Sequence, residues 1–367
     1  MIRSPRVSVI MAAYNSADYV RDAVDSIVNQ TFGDIELIIV NDGSTDRTGE
    51  ILDRCAEADS RITVIHQPNR GLPASLNRAI SQAHGTYLAR MDADDISLPE
   101  RLEEQVEFME SHSEIGLCGT ACRMFGDASG VSWTTTDPDE IRSRLLFWPC
   151  VVHPTVMMRR SLIAEYDLYY DPHFAQAEDY ELWTRISEVT KIANLSEVHL
   201  LYRVTSGQKT ARFEDDTTTW SGLIQRRLLE KMGVQPTPEE MEIHISLHKS
   251  RFEQSRDYVD RVENWLRKLI EANGETGYHN PGALASVLGE RWNAVCAAQT
   301  ELGLWAWRRY VTSPLRTAGS GCDPMSIASY SRRALSSLLE RSRQGRTLKD
   351  MVRSVRNRFS ESGRQVA

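Results

Sequence analysis

The sequence predicts an α/β protein with a mostly parallel sheet flanked by helices, followed by a mostly α-helical C-terminal domain. Short apolar runs alternate with amphipathic helical segments from residue 7 to about residue 125. Strands that alternate with helices at this spacing form a parallel sheet with helices on both faces. After about residue 215 the periodicity is nearly all helical. We therefore predict one domain over residues 1–215 and a second over residues 216–367.

Composition indicates a globular protein and argues against several other classes. Hydrophobic residues make up 41% of the 367 residues and charged residues 26%, which is enough to bury a core. The formal net charge of -8 argues against nucleic acid as a partner. The six cysteines show no framework spacing, and no apolar run approaches the roughly 18 residues that cross a bilayer. Since the first residues also lack a signal pattern, we expect a cytoplasmic protein with reduced thiols.

Four apolar runs predict the strands of the N-terminal sheet. The run at residues 7–13 is apolar throughout, as expected for a strand covered on both faces. Ser16 is a candidate N-cap for the helix that follows. Ser97 and Glu100 have capping-box spacing and predict a helix over about residues 98–112. The other three strands are predicted at residues 35–40, 62–66 and 86–91, and further strands at 115–126, 153–160 and 199–204.

Polar loops follow all four predicted parallel strands. Their sequences are AYNS, NDGSTD, QPNRG and DADD, in chain order. In open parallel sheets, ligands bind beyond the carboxyl ends of the strands. One polar loop at a strand end is ordinary, but four at the same edge predict a binding cleft.

The DADD loop carries the pattern of a metal site. If the strand stays extended, Asp92 and Asp94 leave on one face while Asp95 points away. Two convergent carboxylates suit Mn²⁺ or Mg²⁺, which prefer oxygen ligands. The alternative is an acidic loop that favours the N-terminus of the next helix electrostatically.

These motifs together resemble the nucleotide-sugar glycosyltransferases of family 2. The resemblance runs from residue 6 to about residue 210 and includes NDGSTD, NRGLPASLNRAI and RMDADD. It implies the nucleotide-binding α/β fold called GT-A and transfer of a sugar from a nucleoside-diphosphate donor with inversion at the anomeric carbon. A UDP-sugar is the first expectation for the donor and a dTDP-sugar the second.

The resemblance also implies roles for single residues. Asp94, with Asp92, would hold the metal, and Asp42 would accept a hydrogen bond from the nucleotide base. The alternative for Asp42 is a turn residue, and the alternative for Arg90 is an ion pair with Asp92. The residues expected at the nucleotide-sugar site are Ala13, Tyr14, Asn15, Asp42, Asn69, Arg70, Arg90, Asp92 and Arg203.

The segment QAEDYELWTRIS (176–187) provides the catalytic carboxylates that the resemblance implies. Asp179 corresponds to the general base, which we expect to be ionised at pH 7, and Glu178 has a supporting or acceptor-binding role. From the segment alone, ordinary acids that interact with the helix dipole are the favoured explanation for this pair at a helix N-terminus. His153 and Trp148 are predicted next to the acceptor, although Trp148 could instead fill the core.

The C-terminal segment 345–367 predicts a basic amphipathic helix. Leu348, Met351, Val352, Val355 and Phe359 fall on one helical face, and five Arg or Lys residues occupy much of the rest. Such a helix can lie on an anionic membrane surface. The alternative is docking on its own protein or on a second subunit, which leaves a homo-oligomer open. Peripheral attachment to the inner face of the membrane would suit a lipid-linked glycan acceptor.

The sequence therefore predicts a metal-dependent inverting glycosyltransferase that acts on a glycan or lipid-linked glycan acceptor in bacterial surface polysaccharide synthesis. Two other classes remain as alternatives. A nucleotidyltransferase would need a glycine-rich basic loop near the first strand, and MAAYNSADY has neither glycine nor lysine. A non-catalytic nucleotide- or glycan-binding protein would not need both the acidic loop and the Glu178–Asp179 pair.

Overall fold

The computed structural model describes residues 4–132, 134–174, 176–205 and 214–318. The basic segment 345–367 lies outside the described residues, so its predicted helix stays a prediction. Contacts divide the chain into two compact units. The first contains the described residues up to 236 together with 278–280, and the second contains 237–277 and 281–318. The domain boundary predicted between residues 215 and 216 also stays a prediction.

Four parallel strands form one half of a nine-stranded sheet, as the apolar runs predicted. They are β1 (Val7–Ala13), β2 (Ile35–Asp42), β3 (Ile62–Gln67) and β4 (Tyr87–Asp92). Their spatial order is β3-β2-β1-β4. Every β1 side chain is at least half-buried, because helices cover both faces of this part of the sheet.

The other half of the sheet is mixed. β5 (Ile96–Ser97), β6 (Ile115–Gly126), β7 (Gly130–Val131), β8 (Met157–Arg159) and β9 (Lys191–Val204) extend it in the order β4-β8-β6-β9-β5, with β7 paired to β6. β8 is antiparallel to both β4 and β6, and β9 is parallel to β6. The strand predicted at 153–160 is shorter than expected, because residues 153–155 form a 3₁₀ turn before β8.

Eight helices of the first unit lie within the described residues. They are α1 (Val20–Val28), α2 (Thr48–Ala58), α3 (Leu72–Gln82), α4 (Arg101–Ser111), α5 (Pro138–Arg144), α6 (Ser161–Tyr166), α7 (Glu178–Val189) and α8 (Glu214–Lys231). The apolar faces of α1 and α4 pack in the same hydrophobic core as β1 and β4, and this core fixes the positions of the loops at the strand ends.

Both predicted serine caps are wrong. The Ser16 Oγ donates to Tyr14 O at 3.2 Å, while Ser16 N donates to Thr48 Oγ1 at 2.8 Å. The serine therefore connects two loops, and α1 begins four residues later. Ser97 lies in β5, where its Oγ accepts a hydrogen bond from Gln30 Nε2 at 3.2 Å, and α4 begins only at Arg101. The Ser16 hydroxyl is taken by a local bond to the backbone, and the Ser97 hydroxyl by a tertiary contact, so neither caps a helix.

The second unit is helical where it is described, as predicted. It contains α9 (Pro238–Lys249), α10 (Arg256–Thr276), α11 (Pro281–Ala298), α12 (Leu304–Thr312) and α13 (Leu315–Ala318). Trp265 and Trp292 are buried, in agreement with tryptophans that fill a core. Among the helices described in either unit, none combines the length and apolar character needed to cross a bilayer.

Candidate active site

The carboxyl ends of the four parallel strands lie at one edge of the sheet. The register pairs Ala12 with Asp92, Ala13 with Asn41, and Asp42 with Gln67. The polar loops that follow these strands therefore open on the same side, where ligands bind in sheets of this kind.

Asp42 organises the loop that follows β3. The carboxylate is 4% exposed. Its Oδ1 accepts from Gln67 Nε2 and from Arg70 N, both at 2.8 Å, and its Oδ2 accepts from Gly71 N at 2.9 Å. A carboxylate has about four acceptor positions, so one position on Oδ2 remains beyond these three bonds. The side chains of Asn69 and Arg70 are exposed at the edge of the loop.

A glycine after Asp42 allows two loops to approach each other. Gly43 has a φ of +71°, and a Cβ at this position would lie 2.6 Å from Asn69 N. Any other residue would strain the backbone and collide with the QPNRG loop. The pairing of the NDGSTD and QPNRG loops therefore depends on this one small residue.

Asn15 joins the first loop to the second. Its backbone has a φ of +49°, in the left-handed region that asparagine tolerates. Asn15 Oδ1 accepts from Thr45 N at 2.8 Å, and Asn15 N donates to Ser44 Oγ at 3.0 Å. Ala13 is buried, whereas Tyr14 is 45% exposed. Asn15 thus has a structural role in addition to the donor contact predicted for it.

The three aspartates of the DADD loop converge. One carboxylate oxygen from each of Asp92, Asp94 and Asp95 lies within 4.8 Å of the others. The expectation that Asp95 points away is wrong, because the strand ends at Asp92 and residues 93–94 form a turn. That turn brings the third carboxylate into the group, which we call the acidic cluster.

The chemistry of the acidic cluster fits a divalent cation. Burial and then the charge of Asp92 raise the pKa of Asp94 to about 6 and that of Asp95 to about 8. Asp95 is 1% exposed, and its Oδ2 has no hydrogen-bond partner among the described residues. A buried carboxylate oxygen without a donor is costly, and a hard cation among three such groups would remove that cost.

Arg90 forms the ion pair with Asp92 that was one of its two predicted roles. Its Nη1 donates to Asp92 Oδ2 at 2.6 Å and its Nη2 to Asp92 Oδ1 at 2.5 Å. Arg90 is 2% exposed. Burial lowers the pKa of Arg90, but the acidic groups around it, Asp92 first, together outweigh burial and the pKa is raised. The guanidinium therefore remains charged and orients Asp92 in the cluster.

Arg203 contacts the acidic cluster from β9. Its backbone N donates to Asp95 Oδ1 at 2.8 Å, and its Nε donates to Asp94 O at 2.7 Å. The guanidinium carbon lies 4.4 Å from the ring centroids of both Tyr19 and Phe125. These contacts hold the DADD turn, and the predicted phosphate contact of Arg203 stays a prediction.

Glu178 and Asp179 begin α7. The Glu178 carboxylate is 7% exposed and accepts from Gln176 N at 2.7 Å. Asp179 is half-buried and accepts from Tyr180 N at 2.7 Å. Burial and then the neighbouring Glu178 raise the pKa of Asp179 to about 7, while Arg90 lowers it. Asp179 is therefore only partly ionised at pH 7, in contrast to the expectation of a fully ionised carboxylate.

His153 packs in an aromatic group with two buried side chains, Tyr170 and Trp183. Its Nε2 is 2.9 Å from the Tyr170 hydroxyl, and its ring meets the edge of Trp183 at 5.7 Å. Burial and then the charge of Arg90 hold the pKa of His153 well below its usual value, so the ring is neutral at pH 7. Trp148 is partly exposed and packs against Phe147 at 5.8 Å, which leaves its acceptor role a prediction.

Sequence reasoning missed three side chains near these groups, of which Tyr170 and Arg101 are buried and Asn77 is half-buried. Tyr170 interacts electrostatically with Asp179, Glu178 and Arg90. Arg101 is fully buried and donates from its Nη2 to Arg90 O at 2.7 Å. Asn77 makes two bonds to the backbone of Tyr170. Of the three, only Asn77 could have been found from the sequence, because it lies inside the NRGLPASLNRAI motif.

Comparisons with known proteins identify the family. Residues 8–167 match the model of glycosyl transferase family 2. A region of 213 residues is 36% identical to the O-antigen biosynthesis glycosyltransferase WbnJ of Escherichia coli, and covers 56% of this chain and 83% of that protein. The chain belongs to glycosyl transferase family 2. This glycosyltransferase is also 31% identical over 250 residues to an uncharacterized glycosyltransferase of Haemophilus influenzae, with 64% of this chain and 77% of that one covered.

A solved structure confirms the predicted GT-A fold of this glycosyltransferase. Residues 1–349 of S. aureus TarS, in complex with UDP-GlcNAc, superpose with a TM-score of 0.54 at 20% identity, and the match covers 89% of this chain and 92% of that one. At this identity the likeness concerns the fold alone. Membership of the family, together with the fold, establishes the chain as a glycosyltransferase enzyme.

Proposed function

We propose that this glycosyltransferase is a metal-dependent inverting enzyme that uses a nucleoside-diphosphate sugar, with UDP as the preferred nucleotide. The observation that carries the proposal is the acidic cluster, with its buried unpartnered Asp95 Oδ2, within electrostatic reach of a second carboxylate pair at the start of α7. With a cation bound, the acidic cluster would suit the leaving diphosphate, and the carboxylate pair at the start of α7 would suit the acceptor.

The acidic cluster would hold Mn²⁺ or Mg²⁺ through Asp94 and Asp92, with Asp95 as a third candidate ligand. When bound, such a cation acts as a Lewis acid that stabilises charge on the departing diphosphate. Arg90 and Arg203 orient the cluster, because one binds the Asp92 carboxylate and the other binds Asp95 and the Asp94 carbonyl. Mn²⁺ and Mg²⁺ both fit an all-oxygen ligand set.

Asp179 is the proposed general base. Its carboxylate accepts the proton of the acceptor hydroxyl as that oxygen bonds to the anomeric carbon and the bond from that carbon to the diphosphate oxygen breaks. One displacement from the opposite side inverts the anomeric centre without a covalent intermediate. A pKa of about 7 suits this role, because a base is most effective when its pKa lies near the working pH.

The nucleotide site would be formed by the loops after β1, β2 and β3. The remaining acceptor position on Asp42 Oδ2 suits the N3–H of uracil or thymine, which supports UDP first and dTDP second. Tyr14 and Asn69 are exposed at the same edge and are available for base or ribose contacts. TarS, whose fold is similar, is known in complex with UDP-GlcNAc.

The acceptor is proposed to be a glycan or lipid-linked glycan of a bacterial surface polysaccharide. The relative WbnJ is an O-antigen biosynthesis glycosyltransferase, which supports this class of acceptor. Peripheral contact with the inner face of the membrane through residues 345–367 belongs to the same proposal. His153, in its aromatic group, and Trp148 are the acceptor-side residues to test.

Substitution of Asp179 by asparagine tests the division between donor binding and chemistry. UDP affinity in the presence of Mn²⁺ should stay within about twofold, while UDP release from the donor sugar falls by about 10²- to 10⁴-fold through loss of the general base. Glu188→Gln is the matched control, because this carboxylate lies at the other end of α7, where its partner is Lys231. Full turnover in Asp179→Asn would reject this residue as the base.

A further inference from the structure

We propose that Asn77 is a positioning residue that fixes the acceptor-side loop relative to the donor-side loop; this inference rests on the proposed function. Asn77 Nδ2 donates to Tyr170 O at 2.8 Å, and Tyr170 N donates to Asn77 Oδ1 at 2.9 Å. One side-chain amide thus satisfies both backbone groups of a residue 93 positions away. This arrangement reproduces the two-bond pairing of neighbouring strands and specifies a single position for Tyr170.

Asn77 lies on a helix whose N-terminus belongs to the donor side. α3 begins directly after Gly71, and Ser75 N and Ser75 Oγ both donate to Gly71 O, at 3.1 and 3.0 Å. Gly71 N in turn donates to Asp42 Oδ2. The buried face of α3 includes Leu76, so the helix is held against the core. The position of Asn77 is therefore fixed to the loop that carries Asn69 and Arg70.

Tyr170 connects Asn77 to the residues proposed for the acceptor side. It is 1% exposed, and its hydroxyl is 2.9 Å from His153 Nε2. The His153 ring contacts Trp183 of α7, the helix that begins with Glu178 and Asp179. Burial raises the pKa of Tyr170, and its phenol interacts electrostatically with Asp179. A displacement of the Tyr170 backbone would therefore move the surroundings of the proposed base.

A purely structural role for Asn77 makes a different prediction. Loss of two partly buried hydrogen bonds would lower the folded fraction, and every activity would then fall in the same proportion. A positioning role lowers turnover per folded molecule and leaves the nucleotide site intact. Misplacement of a reacting group by about 1 Å can cost about 10²-fold in rate.

The experiment compares native protein with Asn77→Ala and with Ser81→Ala. Ser81 is exposed on the same helix, and its hydroxyl donates to Arg78 O at 2.7 Å and accepts from Gln82 Nε2 at 3.4 Å, both contacts within three residues. UDP binding with Mn²⁺ is measured by calorimetry, and UDP release is measured with a panel of UDP-sugars without acceptor. Hydrogen exchange is followed in peptides that cover Tyr170 and the first turn of α7.

Asn77→Ala should keep the UDP affinity and the donor KM within about twofold and lower kcat by about 10- to 100-fold. Exchange should become faster around Tyr170 and at the start of α7, and should stay unchanged in β1 and β2. Ser81→Ala should match the native protein in every assay.

The inference is overturned if kcat per folded molecule in Asn77→Ala equals that of Ser81→Ala, or if exchange near Tyr170 does not change. Failure of the proposed function would look different, because the native protein would then bind no nucleotide and hydrolyse none of the donors. In that case the exchange measurement would still decide whether Asn77 fixes the Tyr170 segment.

Discussion

The raised pKa of Asp179 makes a prediction about pH dependence. Burial and the neighbouring Glu178 raise this pKa to about 7. The ionised fraction of a base with that pKa is about 0.1 at pH 6, about 0.5 at pH 7 and about 0.9 at pH 8. The value of kcat/KM should therefore rise about fivefold from pH 6 to pH 7 and less than about twofold from pH 7 to pH 8. A carboxyl group of ordinary pKa, about 3.9, would give a flat profile over this range.

Substitution of Glu178 by glutamine tests why the pKa of Asp179 is raised. It removes the second-largest contribution to the raised pKa, after burial itself. The pKa of Asp179 should fall, and the rise in kcat/KM should move to lower pH. Because Glu178 also has a proposed acceptor role, the shape of the curve is the readout and its absolute height is not.

The assay is UDP release at donor concentrations far below KM, where kcat/KM reports groups of the free enzyme. Native protein, Glu178→Gln and the control Glu188→Gln are compared between pH 5.5 and pH 8.5. A flat native profile would refute the assignment of a shifted base. An unchanged midpoint in Glu178→Gln would refute the electrostatic coupling of the two carboxyl groups.

Three further predictions concern stability and the acidic cluster. Asp179→Asn should raise the Tm at pH 8 and have little effect at pH 4. The pKa of Asp179 is about 7 in the folded protein and 3.8 in the unfolded chain, so ionisation of the carboxylate destabilises the fold as the pH rises between these values. Calorimetry at the two pH values checks this prediction. Arg203→Met should weaken Mn²⁺ binding about 10- to 100-fold by freeing the turn at Asp94, as titration calorimetry would reveal, and unchanged affinity would contradict this. Arg101→Met should lower the free energy of unfolding in urea by about 1–3 kcal/mol, because Arg90 O loses a buried donor, whereas a loss below about 1 kcal/mol would argue against that contact.

Local sequence patterns predicted the elements of the sheet well. The bounds of β1 and β6 coincide with the apolar runs at residues 7–13 and 115–126. These strands are covered by other elements, so burial leaves a continuous apolar pattern in the sequence. The position of the polar loops at the carboxyl ends of the strands was also predicted, because parallel strands place these loops at one edge of the sheet. Pairing of β8 in antiparallel orientation between β4 and β6 was not predictable, since it depends on contacts between distant segments.

The details of the site depended on long-range contacts. Asp95 joins the acidic cluster because the chain turns after Asp92, and its carboxylate accepts from Arg203 N, 108 residues away. The amide bonds of Asn77 to Tyr170 span 93 residues. A residue type and its local spacing identify a carboxylate or an amide, but only the folded chain determines which partner it meets.

The measurement that tests the central claim most directly is calorimetric titration of UDP, dTDP and GDP, each with and without Mn²⁺, into native protein and Asp94→Ala. The account predicts that UDP binds most tightly, that binding requires Mn²⁺, and that Asp94→Ala abolishes the metal-dependent part. Binding of none of the three nucleotides, or UDP binding of equal strength without Mn²⁺ and in Asp94→Ala, would contradict a metal-dependent nucleotide-sugar site at the acidic cluster.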